Sequence, residues 1–259
     1  MSLFYWTVVI IAGSLIGSFT NVVIHRGPSM WGLVDDATPR GSLLAPRSYC
    51  PHCRRPIPAW QMVPIVSYLL QRGRCSACSA KISPRYPLVE FTGILVASAA
   101  YVVFGATLAG LFAAVLGWCL VALAVIDWET GFLPDMLTLP LIPLGLAINL
   151  GGYFVPIADA LIGAAAGYLV FRLIGAAFHK LRGFEGLGQG DAKLAAVIGA
   201  WSGWQLLPVA VLAGSVVTLL AILSARAMGK TISAKTEIPF GPGLCAGAFF
   251  AVLLVRTAT

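Results

Sequence analysis

The chain has 259 residues, of which 59 % are hydrophobic and only 10 % are charged, and its mean hydropathy is +0.89. These values lie far outside the range of soluble globular domains, so we interpret the chain as a polytopic membrane protein. Its net charge of +7 at pH 7 is explained by basic loops retained at a membrane surface, and it does not indicate nucleic-acid binding.

Five long apolar runs make up most of the sequence. Since a helical span needs about 20 mostly apolar residues, the first and last runs predict one span each and the three middle runs predict two each. The runs are residues 3–24, 91–126, 136–171, 194–224 and 239–255. The middle runs are expected to turn near Gly105-Ala106, Gly151-Gly152 and Ser202-Gly203. The sequence therefore predicts an all-α protein with eight transmembrane helices.

The basic residues lie mostly on one side of this predicted topology. Residues 26–85, 172–193 and 226–235 fall on one face and hold 16 of the 17 Lys and Arg residues. Because Lys and Arg are retained in the cytoplasm, we expect this face to be cytoplasmic and both termini to be extracytoplasmic. The segment before the first apolar run carries no positive charge, so we expect an uncleaved helix rather than a removed signal peptide.

Residues 26–87 form a polar insertion between the first two predicted helices. The insertion has too few apolar residues for its own core and needs another source of stability. Two C-x-x-C pairs, Cys50/Cys53 and Cys75/Cys78, predict a zinc-ribbon-like site with four thiolate ligands and structural Zn²⁺. Disulfides or a redox pair are the alternatives, but structural disulfides are rare in the cytoplasm. His52 could replace one sulfur, although four cysteines make that unnecessary.

Two acids stand at predicted membrane boundaries. Asp127 closes the third helix, where the negative end of the helix dipole disfavours an anion, so it is a functional candidate. Asp191 opens the sixth helix directly after Gly188-Gln189-Gly190. We expect these glycines to adopt conformations closed to other residues and to allow a second chain segment to approach closely. Capping of the sixth helix would also explain Asp191.

Two further acids have simpler explanations. Glu90 lies at the start of the second predicted helix, where the helix dipole favours an acid, so helix capping explains it. Binding of a cationic cofactor is the alternative role for Glu90. Asp135 follows Pro134 and precedes the fourth apolar run, which makes it a good candidate for an N-cap residue.

The side chains available favour catalysis by two acids. The sequence has no H-E-x-x-H pair and no G-x-S-x-G elbow, and none of its three histidines is placed as an obvious base. Two carboxylates in one site share a proton, so one can activate water while the other donates to the oxyanion. We therefore predict an aspartic protease that uses Asp127 and Asp191. The alternative is an ion-coupled transporter with the same acids as a proton relay.

The sequence Gly188-Gln189-Gly190-Asp191 matches the G-x-G-D motif of intramembrane-type aspartic proteases. Together with several other features of the sequence, this motif makes the chain resemble the bacterial type IV prepilin peptidases over nearly its whole length. These features are the tetracysteine loop, the 64-residue spacing of the two acids, Gly17-Ser18-Phe19-Thr20-Asn21-Val22-Val23, Tyr86-Pro87-Leu88-Val89-Glu90, and Asp127 followed by Leu133-Pro134-Asp135.

This resemblance implies an activity and a division of the chain. Members of the family cleave the basic leader of type IV prepilins and type II secretion pseudopilins at the cytoplasmic face of the inner membrane. Many also methylate the new amino terminus with S-adenosylmethionine, and the four cysteines mark this methylating type. The implied parts are a first transmembrane helix (1–25), a methyltransferase-associated tetracysteine loop (26–87) and a seven-helix peptidase domain (88–259).

The resemblance also points to site residues. It implies that Asp127 and Asp191 are the catalytic pair, with Gly188 and Gly190 supporting the backbone beside Asp191. Gly73 falls where the methyltransferase region of the family has been placed, and Arg74 stands where relatives often have Lys. With Glu90, these two residues are the candidates for the cofactor site, since the sequence contains no Rossmann pattern.

Overall fold

A computed structural model of the protein describes residues 3–35, 40–183, 188–229 and 239–258. Within these ranges the regular elements are all helices, apart from two isolated β-bridges, which confirms the all-α prediction. All three basic segments used to assign orientation extend outside the described residues, at 36–39, 184–187 and 230–235.

The helices follow one another along the chain with short connections, except for the polar insertion after the first. They are α1 (Leu3–Met30), a 3-10 helix (Ala59–Met62), α2 (Val66–Leu70), α3 (Arg85–Phe104), α4 (Leu108–Thr130), α5 (Asp135–Leu150), α6 (Ile157–Arg182), α7 (Gln189–Ala227) and α8 (Gly241–Ala258).

Most of these helices are apolar and suited to a membrane. Helices α1, α3, α4, α6 and α7 are long and apolar enough to cross one, while α5 and α8 are shorter apolar helices. Gly203 divides the 39-residue α7 into two helices, because its φ of 76° and ψ of 173° are accessible essentially to glycine alone. Counting both halves, the described residues form eight apolar helices, the number predicted, and the chain is a multi-pass membrane protein.

The predicted breaks between helices are found at glycines. Gly105 ends α3 with a φ of 71°, a left-handed conformation that glycine adopts without a steric penalty. Thr107 then caps α4 by accepting a hydrogen bond from the Gly110 N–H at 3.2 Å. Gly152, with a φ of 70°, turns the chain between α5 and α6 in the same way.

The chain divides into two compact units, Met1–Ala106 and Thr107–Thr259. The first unit contains α1, the polar insertion and α3. The second contains α4 to α8. Helix α3 packs with α1, and a hydrogen bond joins it to the insertion that separates the two helices in sequence.

Close helix packing in the first unit depends on small residues. A Cβ at Gly17 in α1 would lie 2.8 Å from the Cα of Glu90 in α3, so only glycine allows this approach. One turn further on, the Asn21 side-chain amide donates a hydrogen bond to the Tyr86 carbonyl at 3.0 Å. Asn21 therefore adds a side-chain hydrogen bond across the interface between α1 and α3.

Glycines also allow close helix contacts at two places in the second unit. A Cβ at Gly163 in α6 would lie 2.6 Å from the Gly199 carbonyl oxygen in α7. On the other half of α7, a Cβ at Gly214 would lie 2.8 Å from the Gly243 carbonyl oxygen in α8. Helix α7 thus contacts α6 and α8 almost backbone to backbone, and dispersion contacts replace the hydrophobic effect that lipid does not supply.

Asn149 links three segments of the second unit through one buried side chain. It is 2 % exposed, and its Nδ2 donates to the Ala200 carbonyl in α7 at 2.9 Å. Its Oδ1 accepts the backbone N–H groups of Phe154 and Val155, at 3.2 and 3.1 Å. Asn149 therefore satisfies backbone groups in the loop before α6 that would otherwise be buried without partners.

We predict that Asn149→Leu lowers the free energy of unfolding by about 3 kcal/mol or more, because two N–H groups and one carbonyl lose their partners. Thermal and denaturant unfolding of the detergent-solubilised protein would measure the change. Leu150→Ala is the matched control, since Leu150 is 73 % exposed, and we expect a change within about 0.5 kcal/mol. Equal stability of the Asn149 variant and the parent would contradict this role.

Candidate active site

Asp127 lies one turn before the end of α4 and is 7 % exposed. Its carboxylate faces the first turn of α8, where the backbone N–H of Gly241 points towards it. A Cβ at Gly241 would lie 2.8 Å from the Asp127 Cγ, so only glycine fits there. The N-terminal end of α8 favours an anion, which offsets the unfavourable dipole at the end of α4.

One oxygen of this carboxylate remains available. Asp127 Oδ2 is buried and has no hydrogen-bond partner among the described residues. Buried acceptors are nearly always paired, so an orphaned one at a helix junction indicates a position for a ligand or for water. The site therefore has an acceptor oriented for a donor that the described residues do not supply.

Asp191 is the third residue of α7 and is partly buried. Its carboxylate reaches back to the backbone N–H of Gly188, the N-cap residue, as the third residue does in a capping box. Asp191 therefore contributes to capping from inside the first turn, and it is not itself the N-cap residue. The helix N-terminus also favours its negative charge.

For the two glycines before Asp191 we expected a special backbone conformation and the close approach of a second chain segment. Only the close approach is found. Gly188 has a φ of −66° and a ψ of 146°, which any residue can adopt, and Gly190 lies in the helix without a positive φ. The expected special backbone conformation is therefore wrong. The close approach is real, because a Cβ at Gly190 would lie 2.9 Å from the Leu133 Cβ.

The structure brings the two acids together within the second unit. Asp127 and Asp191 lie close enough for their charges to interact. Cys245 in α8 also interacts electrostatically with both carboxylates, and it is 2 % exposed. The i, i+4 spacing of Cys245 from Gly241 places both residues on the same face of α8.

A salt bridge that the sequence did not predict lies two residues beyond Asp191. Lys193 Nζ contacts Asp135 Oδ1 at 2.5 Å, which joins the first turn of α7 to the first turn of α5. The predicted N-cap role of Asp135 is wrong, because Pro134 occupies the N-cap position and Asp135 is the first residue of the helix. The side chain of Asp135 is used to pair with Lys193 instead.

The four cysteines of the insertion form a cluster. Their Sγ atoms all lie within 4.8 Å of one another, and Cys50 Sγ is 3.8 Å from Cys78 Sγ. Tetrahedral Zn²⁺ with Zn–S bonds of about 2.3 Å would separate the sulfurs by about 3.8 Å. The thiols are free, and His52 is not part of the cluster. The cluster can therefore bind a metal ion.

Two similar backbone loops hold this cluster. In the first, the Arg54 N–H donates to the Cys50 carbonyl at 2.8 Å; in the second, the Ser79 N–H donates to the Cys75 carbonyl at 2.9 Å. Arg54 and Ser79 each have a φ of 57°. The N–H groups of Ala77 and Cys78 lower the pKa of the Cys75 thiol to about 6, which favours the thiolate that metals bind.

The three cofactor candidates do not share one site. Glu90 is 8 % exposed and lines a cavity of about 630 Å³ in the first unit. Gly73 and Arg74 line a smaller neighbouring cavity of about 440 Å³, and Tyr68 lines both. A Cβ at Gly73, whose φ is 65°, would lie 2.9 Å from the Tyr68 hydroxyl oxygen. Gly73 therefore positions Tyr68 and does not face the larger cavity.

Helix capping by Glu90 is wrong. Helix α3 begins at Arg85, so Glu90 lies beyond the first turn. Its Oε2 accepts the backbone N–H of Ile65 at 2.7 Å. Glu90 therefore joins α3 to the insertion at the wall of the large cavity.

We predict that Gly190→Ala lowers the free energy of unfolding by about 1–3 kcal/mol, because the new methyl group would overlap Leu133. Leu133→Ala in the same chain makes room for that methyl group, so the double variant should lose less than the sum of the two single changes. Thermal unfolding in detergent of the parent, the two single variants and the double variant measures the coupling energy between residues 190 and 133. Additive losses would contradict the contact.

Comparison with known proteins gives a consistent result for both units. The bacterial peptidase A24 N-terminal domain model matches residues 11–104, and the type IV leader peptidase family model matches residues 114–223. The boundary between the compact units falls between these two matches. No solved structure matches the chain.

Several curated proteins named prepilin leader peptidase/N-methyltransferase are similar over most of their length. One from Burkholderia pseudomallei (strain 1026b) is 44 % identical over 92 % of this chain and 82 % of its own. One from Aeromonas hydrophila is 43 % identical, and the match covers 96 % of this chain and 90 % of the relative. One from Neisseria gonorrhoeae is 43 % identical, and the match covers 90 % of this chain and 85 % of the relative. The chain belongs to the type IV leader peptidase family.

Proposed function

We propose that this protein is a membrane aspartic endopeptidase that removes the leader peptide of type IV prepilins or type II secretion pseudopilins. The observation that carries the proposal is the meeting of Asp127 and Asp191 where α4 ends and where α7 and α8 begin. The relatives' names and the family models support the same chemistry. We further propose that the protein methylates the new amino terminus.

The two acids share one proton and divide the reaction between them. The ionised carboxylate removes a proton from water while the water oxygen bonds to the scissile carbonyl carbon, and the protonated carboxylate donates to the carbonyl oxygen. When the tetrahedral diol breaks down, its hydroxyl returns a proton to a carboxylate, the C–N bond breaks and the leaving nitrogen is protonated. The products are the leader with a new carboxylate and the mature protein with a free α-amino group.

The position of the acids argues against the transporter alternative. Asp127 and Asp191 both lie near helix ends, within the last two turns of α4 and the first turn of α7. A proton relay would place acids near the middle of the membrane. The family model and the relatives support a peptidase.

We propose that the acids face the cytoplasm at the inner membrane, with both termini on the opposite side. The distribution of Lys and Arg along the sequence supports this orientation. A prepilin with an apolar N-terminal helix in the bilayer would then present its leader at the surface where the helix ends meet. The segment 88–259 contains both acids, and we assign proteolysis to it.

We assign a structural metal site to the tetracysteine loop, 26–87, and propose that the metal is Zn²⁺. Cys50, Cys53, Cys75 and Cys78 would hold it as four thiolates, and the sulfur spacing fits tetrahedral coordination. S-adenosylmethionine, when bound, supplies the methyl group for the new amino terminus. The relatives' names include N-methyltransferase, which supports the use of S-adenosylmethionine by this protein.

We predict that Asp127→Asn and Asp191→Asn each lower the rate of precursor cleavage by about 10²-fold or more, because an amide cannot take part in the proton transfers. Purified full-length protein in lipid vesicles, incubated with a prepilin, gives the rate from the ratio of precursor to mature pilin. Asp159→Asn is the control: Asp159 belongs to the same unit, where it accepts a hydrogen bond from Trp204 at 3.0 Å. Parental cleavage by either of the first two variants would refute the proposal.

We predict that the purified chain contains about one Zn²⁺ and that Cys75→Ser retains less than about half of it, because one of four thiolates is lost. Metal analysis by mass spectrometry of equal amounts of folded protein provides the measurement. Cys119→Ser serves as the control, since Cys119 lies in α4 outside the cluster. Absence of zinc from the parent, or full zinc content in Cys75→Ser, would contradict the site.

A further inference from the structure

The outward face of α5 is apolar and short for a membrane. Met136, Leu139 and Leu144 are exposed on this face, and residues 136–150 carry no charge. At 1.5 Å per residue, the 16 residues of α5 extend about 24 Å, whereas the hydrocarbon core of a typical bilayer is about 30 Å thick. Any tilt of the helix lowers the thickness that it can match. A bilayer of ordinary thickness therefore does not fit this face.

Polar groups at both ends prevent the face from extending further. At the start of α5, the Asp135 carboxylate is 53 % exposed and forms the salt bridge with Lys193. At the other end, the exposed Gly151 and Gly152 form a turn. Irregular backbone does not occur against lipid in the hydrocarbon region, because its N–H and C=O groups need partners. The apolar part of the face is therefore limited to α5 itself.

The first half of α7, which packs against α5, is also short. It extends about 20 Å from its start at Gln189 to the break at Gly203. Directly after the break, the exposed Trp204 donates its indole N–H to the Asp159 carboxylate at 3.0 Å. Tryptophan is enriched at the membrane–water interface, and ionisable side chains are rare within the bilayer. The interfaces at the two ends of these helices are therefore only about 20–24 Å apart.

Longer helices of the same unit fit a thicker bilayer. Helices α4 and α6 extend about 34 and 39 Å, and the second half of α7, residues 204–227, extends about 36 Å. Leu212, Leu219 and Leu223 are exposed along this half of α7. A bilayer of one thickness cannot match both groups of helices. Such a mismatch is accommodated by local thinning of the bilayer at the short helices.

Two prolines favour water at the start of α5. Pro140 and Pro143 both lie exposed within the helix. Since proline has no backbone N–H, the carbonyls of Met136 and Leu139 lack the usual helical donor four residues further on. Carbonyls without a donor are costly in hydrocarbon. Thinning that brings water to the start of α5 would supply donors to both.

This end of α5 adjoins the candidate active site. Lys193, the partner of Asp135, follows Asp191 by two residues in the first turn of α7. Leu133, just before α5, lies against Gly190. The start of the short face and the first turn that carries Asp191 are thus in contact, and hydrolysis requires water at that place.

We propose that the second unit thins the lipid bilayer along the outward face of α5 and thereby brings water and the end of a substrate helix to Asp127 and Asp191. The inference rests on the proposed peptidase function and assigns a lipid-contacting surface to it. The hydrocarbon beside α5 is about 6 Å thinner than in a typical bilayer, so up to about four residues at the end of a spanning substrate helix leave it. The bond to be cleaved at that end becomes accessible to the acids.

The test measures the distance of methionine methyl groups from water in two bilayers of different thickness. Met136 and Leu150→Met mark the two ends of the outward face of α5. Val209→Met and Leu223→Met are the matched controls, since both positions are exposed on the second half of α7 and are equally far apart in sequence. The full chain carries isotope-labelled methionine methyl groups in nanodiscs of dimyristoleoyl or dierucoyl phosphatidylcholine, and a water-soluble gadolinium chelate relaxes the methyl groups close to water.

We expect the relaxation of both α5 methyl groups to stay within about twofold between the thin and the thick bilayer, because the lipid adapts to α5. Relaxation of the two α7 methyl groups should fall by about fivefold or more in the thick bilayer, because that half of α7 spans the full thickness. An equal fall at α5 and α7 would show a bilayer of uniform thickness and overturn the proposal. Met136 is a native residue, so its signal remains a test even where a variant folds poorly.

The measurement needs no substrate, so it is independent of the function on which the inference rests. Cleavage of a prepilin in the same nanodiscs tests that function. Cleavage together with α5 methyl groups that become protected in the thick bilayer would refute the thinning alone. Constant relaxation at α5 without cleavage in either bilayer would confirm the thinning and refute the peptidase function.

Discussion

The burial of the Asp127 carboxylate depends on the first turn of α8. A carboxylate near the end of α4 faces the negative end of its own helix, and little water is available to solvate it. The backbone N–H of Gly241 at the start of α8 offsets part of both effects, and it can approach because residue 241 is glycine. The start of α7 acts on Asp191 in the same way, so the helix termini supply part of the solvation that water would otherwise provide.

The same principle explains why the candidate catalytic groups lie at helix ends. Within a helix every backbone group is already bonded, and only the termini have free N–H groups for an anion. Glycine contacts between α6, α7 and α8 bring these termini together. The rigid packing of the helices thus orients the two acids, and Lys193 and Asp135 join the starts of α7 and α5 beside them.

In the first unit, the polar insertion has to be stabilised by contacts other than apolar packing. It lacks the apolar residues for a core of its own; the thiol cluster joins its two C-x-x-C loops, and the hydrogen bond from the Ile65 N–H to Glu90 holds it to α3. These contacts also shape the large cavity, which lies apart from the two acids in sequence and in compact unit.

The sequence by itself determined the all-α class, the eight apolar helices and the cysteine cluster. The length of each apolar helix is set by the hydrocarbon thickness, and the breaks near Gly105 and Gly203 are set by the local backbone. Both can therefore be predicted from the sequence. The sequence also selected Asp127 and Asp191 as candidates. Their meeting follows from contacts between helices remote in sequence, and so only the tertiary structure decided it.

Local patterns failed where distant partners determined the outcome. Asp135 had the local pattern of an N-cap, yet it pairs with Lys193, 58 residues away. Glu90 had the local pattern of a capping acid, yet it binds the Ile65 N–H, 25 residues away. The local spacing of Cys245 puts it on the helix face of Gly241, but only the packing of α8 brings that face to the acids. Hydropathy and helix signals report a residue's neighbours in the chain, whereas side-chain partners across the bundle depend on how the helices pack.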